Sequence, residues 1–126
     1  MLKPDIPVWY RFLALYGMPF LKLYYDCALG GPTLTPDQAL DPLKKMWRVL
    51  LVKRADAITE LEDEVWIIEV SADPGLRSIG QLFSYGHLWS RDPKIDKPVK
   101  LVLVSSTIEE DLLDVATAYD MMTIIV

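Results

Sequence analysis

The sequence contains one cysteine, Cys27, and one histidine, His87. A single cysteine excludes an internal disulfide and an intrachain thiolate cluster, and a single histidine excludes a multi-histidine zinc site. A Ser-His-Asp triad would depend on His87 alone. Positive charge is also scarce. The 13 Lys and Arg against 18 Asp and Glu give a formal charge of -5, the wrong sign for a surface that tracks phosphates along its whole length. No apolar run reaches the roughly 18 residues that cross a bilayer, and Met1-Leu2-Lys3-Pro4-Asp5 lacks the basic-then-apolar layout of a signal peptide. These absences predict a soluble protein retained in the cell that makes it, with no membrane partner.

What is present is enough for one domain over residues 1–126, about half of them apolar. Trp9, Leu13, Tyr16, Phe20 and Leu23 recur at spacings of three and four, a helix face interrupted near Gly17 and Pro19. This aromatic stripe reads as core packing, with an exposed partner surface as the alternative. Gly30 to Pro36 is a loop. Thr35-Pro36-Asp37 then starts a helix with a hydroxyl cap and proline in the first turn, reaching Trp47 before a β-like run, Val49 to Val52. Lys44, Lys45, Arg48, Lys53 and Arg54 form one basic cluster and Arg91, Lys94, Lys97 and Lys100 another; both read as solvated flanks.

From Arg54 the period is two. Arg54, Asp56 and Ile58 share one face of a strand; an acidic turn follows; Val65 to Ser71 returns with Val65, Ile67, Glu69 and Ser71 on one face. Such a hairpin brings Asp56 and Glu69 to the same side of adjacent strands. Leu76 to Trp89 reads as a helix with Ile79, Leu82, Phe83 and Gly86 in its buried stripe and Gln81 and Tyr85 stacked on a neighbouring face. Val99 to Val104 is an interior strand, Ser106 or Thr107 caps a helix over Ile108 to Tyr119, and Thr123 to Val126 is a last strand. The expected fold is α/β: a mixed central β-sheet with an antiparallel hairpin and flanking helices. Residues 1–44 form an N-terminal helical part and 45–126 the core.

Paired carboxylates on adjacent strands suit a hard divalent cation such as magnesium, or else they are edge-strand acids facing water. Arg54-Ala55-Asp56, the acidic turn, Val65 to Val70, and Gly80-Gln81 followed by Tyr85 resemble the PD-(D/E)XK nuclease-like fold. The Gln-x-x-x-Tyr helix is similar to its RecB-like branch. The resemblance covers about residues 45 to 126. Over nearly the full chain the sequence also resembles small proteins of that fold encoded by tailed bacteriophages. It implies a restriction-endonuclease-like core in which Asp56 and Glu69 are the metal-binding acids and Gln81 and Tyr85 support the site. Asp26 is the candidate for an upstream helical acid.

The sequence departs from that pattern at Ser71, where the resemblance implies a catalytic lysine. A serine carries no positive charge and no long arm to the attacking water. Arg54 and Arg77 are candidates to bring compensating charge, although an arginine stays protonated and is a poor proton exchanger; Arg54 could instead pair with Glu69. The resemblance therefore implies a degenerate nuclease-fold protein, phage-encoded and non-catalytic, acting as a structural or assembly component without a cofactor. Its expected partners are other protein subunits, in a homo-oligomer or among phage structural proteins, and its location the host cytoplasm or the phage particle. The alternatives are a Mg²⁺- or Mn²⁺-dependent DNase with a displaced basic residue, and a module that binds DNA without cutting it. Cys27 reads as a small buried hydrophobe and His87 as a surface or half-buried side chain pointing away from the site.

Overall fold

The computed structural model describes all residues, 1–126. Its centre is a five-stranded mixed sheet in the order β1-β2-β3-β4-β5. β1 (Lys22–Leu29), β2 (Lys53–Glu60) and β3 (Val65–Ser71) form an antiparallel meander; β4 (Val99–Ser105) lies parallel to β3, and β5 (Met121–Ile125) parallel to β4. The two parallel steps need crossovers, supplied by α4 (Leu76–Arg91) and α5 (Glu110–Ala118). β4 is interior, which explains a run apolar on both faces.

Alternation along the central strands divides the core into two layers. Ile58, Val65, Ile67 and Leu103 pack with Leu82, Tyr85 and Trp89 of α4 and with Leu112 and Ala116 of α5. On the opposite face, Ala57, Ile68, Val70, Val102, Val104 and Ile124 pack with Val8, Trp9 and Phe12 of α1 (Ile6–Tyr16). Aromatic rings concentrate in this second layer: Phe12 lies 5.2 Å from Trp9, 5.4 Å from Tyr16 and 6.0 Å from Phe20, centroid to centroid.

Three expected elements differ. The segment after Gly17 is not a continued helix. α1 stops where the Gly17 N–H donates to the Leu13 carbonyl, and the chain then enters β1, so residues 1–44 contribute a strand to the sheet. Tyr24 and Tyr25 suit a strand surface, and the buried Thr59 hydroxyl donates to the Lys22 carbonyl across the β1/β2 pair. The second helical region is two helices, α2 (Pro36–Ala39) and α3 (Pro42–Leu51), because Asp41 caps a new start by accepting from the Leu43 N–H at 2.9 Å. Val49 to Leu51 belong to α3 and not to a strand, and the reversal into β2 follows at Val52. The Thr35 cap is as expected, forming a reciprocal capping box with Gln38. α5 begins at Glu110, with Glu109 at its cap position; the Ser106 hydroxyl donates instead to the Ala72 carbonyl. Within α4, Phe83 is exposed beside Tyr119, and Tyr85 takes the buried position.

Candidate functional site

The β2/β3 ladder runs from Glu60↔Val65 to Ala57↔Ile68 and stops one residue short of Asp56. Beyond that point a side chain replaces the backbone: the Val70 N–H donates to Asp56 Oδ2 at 2.9 Å. The strands open here into a cavity of about 340 Å³. Asp56 and Glu69 line it from the sheet, Arg77, Gln81 and Tyr85 from α4, and Asp5 from the turn that precedes α1. Ser71 also lines it. Asp56, Glu69, Ser71, Gln81 and Tyr85 thus converge as the sequence suggests, carried by two strands and one helix.

Electrostatics in the cavity are dominated by crowded acids. Glu69 is buried and its Oε2 has no hydrogen-bond partner. Burial, followed by the nearby Asp56 carboxylate, raises its pKa to about 8, so Glu69 holds its proton at neutral pH. The Tyr85 hydroxyl is pushed up from its ordinary value, first by burial and then by the Glu69 and Asp56 charges. Asp56 Oδ1 lies 3.3 Å from the α-amino group of Met1. Both oxygens of Asp56 are therefore engaged.

The candidate compensating cations are placed differently from each other. Arg54 lines the cavity, where its Nη1 donates to the Asp26 carbonyl at 3.2 Å and pairs with Asp26 Oδ2 at 3.4 Å. Asp26 is not a helical acid of the site. It sits in β1 at a left-handed φ of 50°, exposed, with Arg54 as its partner. Arg77 lines the cavity but is exposed at the start of α4.

The acid that joins the site is Asp5, which the sequence reading missed. An aspartate just before a helix is expected to cap it. Asp5 caps nothing; its Oδ1 accepts from the Ala72 N–H at 2.8 Å, tying the entry of α1 to the end of β3. Its position next to Pro4 and Ile6 gives no hint of a partner so far along the chain.

Asp56 accepts from the Val70 N–H and lies beside the Met1 amino group, and Asp5 accepts from the Ala72 N–H; no group of three His, Cys, Asp or Glu side chains is gathered around one point. Cys27 is half-buried against the α4-side core and its thiol pKa is raised, mainly by burial, while His87 is exposed on α4. Comparisons with protein-family models, curated proteins and solved structures return no match.

Proposed function

We propose that this is a degenerate PD-(D/E)XK-type protein, phage-encoded, whose site no longer cuts and which serves as a structural or assembly component. The observation that carries this reading is the residue at position 71. Ser71 lines the cavity and offers no cation where that chemistry needs one, and Arg54 is paired with Asp26. A site that stabilises a developing negative charge requires fixed positive charge aimed at it. Besides acids, a phenol and an amide, the cavity is lined by Arg54, which is paired with Asp26, and by Arg77, which is exposed; the Ser71 position itself carries no cation. The topology supports the family reading: two acids at the open end of an antiparallel hairpin, backed by the Gln81/Tyr85 helix, within a mixed sheet.

A Mg²⁺- or Mn²⁺-dependent DNase is the second reading. It is favoured by the unpartnered Glu69 Oε2, a buried acceptor aimed into the same cavity as Asp56. The two readings separate in one experiment. The wild type and Ser71→Lys are incubated with linear double-stranded and single-stranded DNA in Mg²⁺ or Mn²⁺, with Asp56→Ala in each background as control. The degenerate reading expects no cleavage by the wild type and the appearance of Asp56-dependent cleavage only with the lysine. Cleavage by the wild type that vanishes with Asp56→Ala would establish the DNase instead.

A further inference from the structure

α3 is amphipathic the wrong way round for a helix of a closed monomer. No residue of α3 is buried, and its main packing against another element is with the adjoining α2. At 100° per residue, Lys44, Lys45 and Arg48 share one side, while Leu43, Met46, Trp47 and Leu50 share the other. Of the basic side chains Arg48 is tied to the body of the protein, its Nε donating to the Pro32 carbonyl at 3.1 Å and its Nη2 to the Gly30 carbonyl at 3.5 Å. Lys44 and Lys45 are exposed, and the Lys44 ammonium lies 5.7 Å from the centre of the Trp47 ring. The apolar side points into solvent, with Leu43 73% and Leu50 76% exposed.

We propose that this face is a self-association surface on which two copies of the chain pair through α3, antiparallel about a two-fold axis near Met46 and Trp47. Area is the first argument. Leu40, Leu43, Met46, Trp47 and Leu50 together expose on the order of 600 Å², at the top of the roughly 300–600 Å² of the largest patch on a typical monomer and approaching the roughly 800 Å² that each partner buries in a standard interface. Charge is the second. Asp37 and Asp41 stand at the N-terminal end of the apolar stripe and Lys53 just beyond its C-terminal end, all exposed. Antiparallel pairing sets Asp41 of each copy near Lys53 of the other, and each helix dipole against its opposite. The symmetry repeats every contact twice, and it leaves Lys45 and Arg48 on the side away from the seam. Isologous pairing of this kind is the commonest closed assembly. The proposal rests on the helix and not on the reading of the carboxylate cavity, and it holds whether or not the protein cuts DNA.

The test is sedimentation equilibrium of the full chain across the micromolar range, beside Leu43→Glu, Leu50→Glu and Lys53→Glu, with circular dichroism to verify that each variant is folded. The expected result is a dimer for the wild type, a folded monomer for either leucine variant, and about fivefold weaker dimerisation for Lys53→Glu, which reverses two symmetry-related pairs. A monomeric wild type overturns the proposal, and so does a dimer that survives Leu43→Glu and Leu50→Glu. A dimer indifferent to Lys53→Glu overturns the antiparallel arrangement. Flotation with phosphatidylcholine/phosphatidylserine vesicles by a wild type that is monomeric in solution would assign the face to lipid instead.

Discussion

Glu69 is the residue on which the physical chemistry of the cavity turns. Its pKa is raised from 4.5 to about 8, with burial as the leading cause and Asp56 the next. Between those values the native state holds a proton that the unfolded chain releases, so ∂ΔG/∂pH for unfolding is negative there. The contribution of this group to stability is fully present below the unfolded value and is lost as the pH rises through about 8. Glu69→Gln keeps the shape and removes the titration. We expect the variant to melt at a higher temperature than the wild type at pH 9 and to match it near pH 5, measured by thermal denaturation at both pH values. An unchanged difference across that range would mean that Glu69 is not held neutral. The same residue shows what was legible in the sequence. That Asp56 and Glu69 share a side follows from strand periodicity, whereas the neutrality of Glu69 follows from a cavity shape that no periodicity encodes. Asp26 and Asp5 make the complementary point. One was assigned to the site by proximity in sequence and belongs to an ion pair at the sheet edge; the other joins the site through a hydrogen bond spanning most of the distance from the N-terminus to the end of β3.

Elements were legible where hydrophobic pattern and partner agree. β3 and α4 have clear periods and β4 carries an unbroken apolar run; the two strands lie inside the sheet and α4 packs on its face, where burial enforces them. The spacing of α1 continues by threes and fours through Phe20 and Leu23 and points to helix at the start of β1; its strand character comes from pairing with β2, a contact between segments distant in sequence. Val49 to Leu51 were read as strand because the run is aliphatic, but no neighbour is available to pair with it and the Asp41 cap has already started a helix. α1 is the element that closes the second layer of the core. Phe12 is fully buried there among three other rings. Phe12→Ala should cost about 3–5 kcal/mol, read as a lower urea midpoint with the slope unchanged. A loss below about 1 kcal/mol would mean that α1 does not hold the sheet face closed.

At the scale of the whole molecule, the sheet and its two core layers account for the fold without any contribution from α2 and α3. The chain leaves the sheet after Leu29 and re-enters at Lys53, and these two residues face each other across the β1/β2 pair. The exit turns on Gly30 and Gly31, both at left-handed φ (67° and 87°), with the Leu88 and Val52 side chains packed where a Cβ would stand. Residues 30–52 are therefore a detachable cassette spliced into a hairpin. Replacing them with an Asn-Gly turn, which suits a two-residue connection, should yield a shorter chain with the same sheet, the same Asp56/Glu69 cavity and a monomeric mass in sedimentation. Failure of that chain to fold would show that the insert stabilises the sheet. With such an arrangement, surface loops and the fold that carries them can be exchanged separately: a different cassette at the same hairpin would change the surface that the scaffold presents without replacing a core residue.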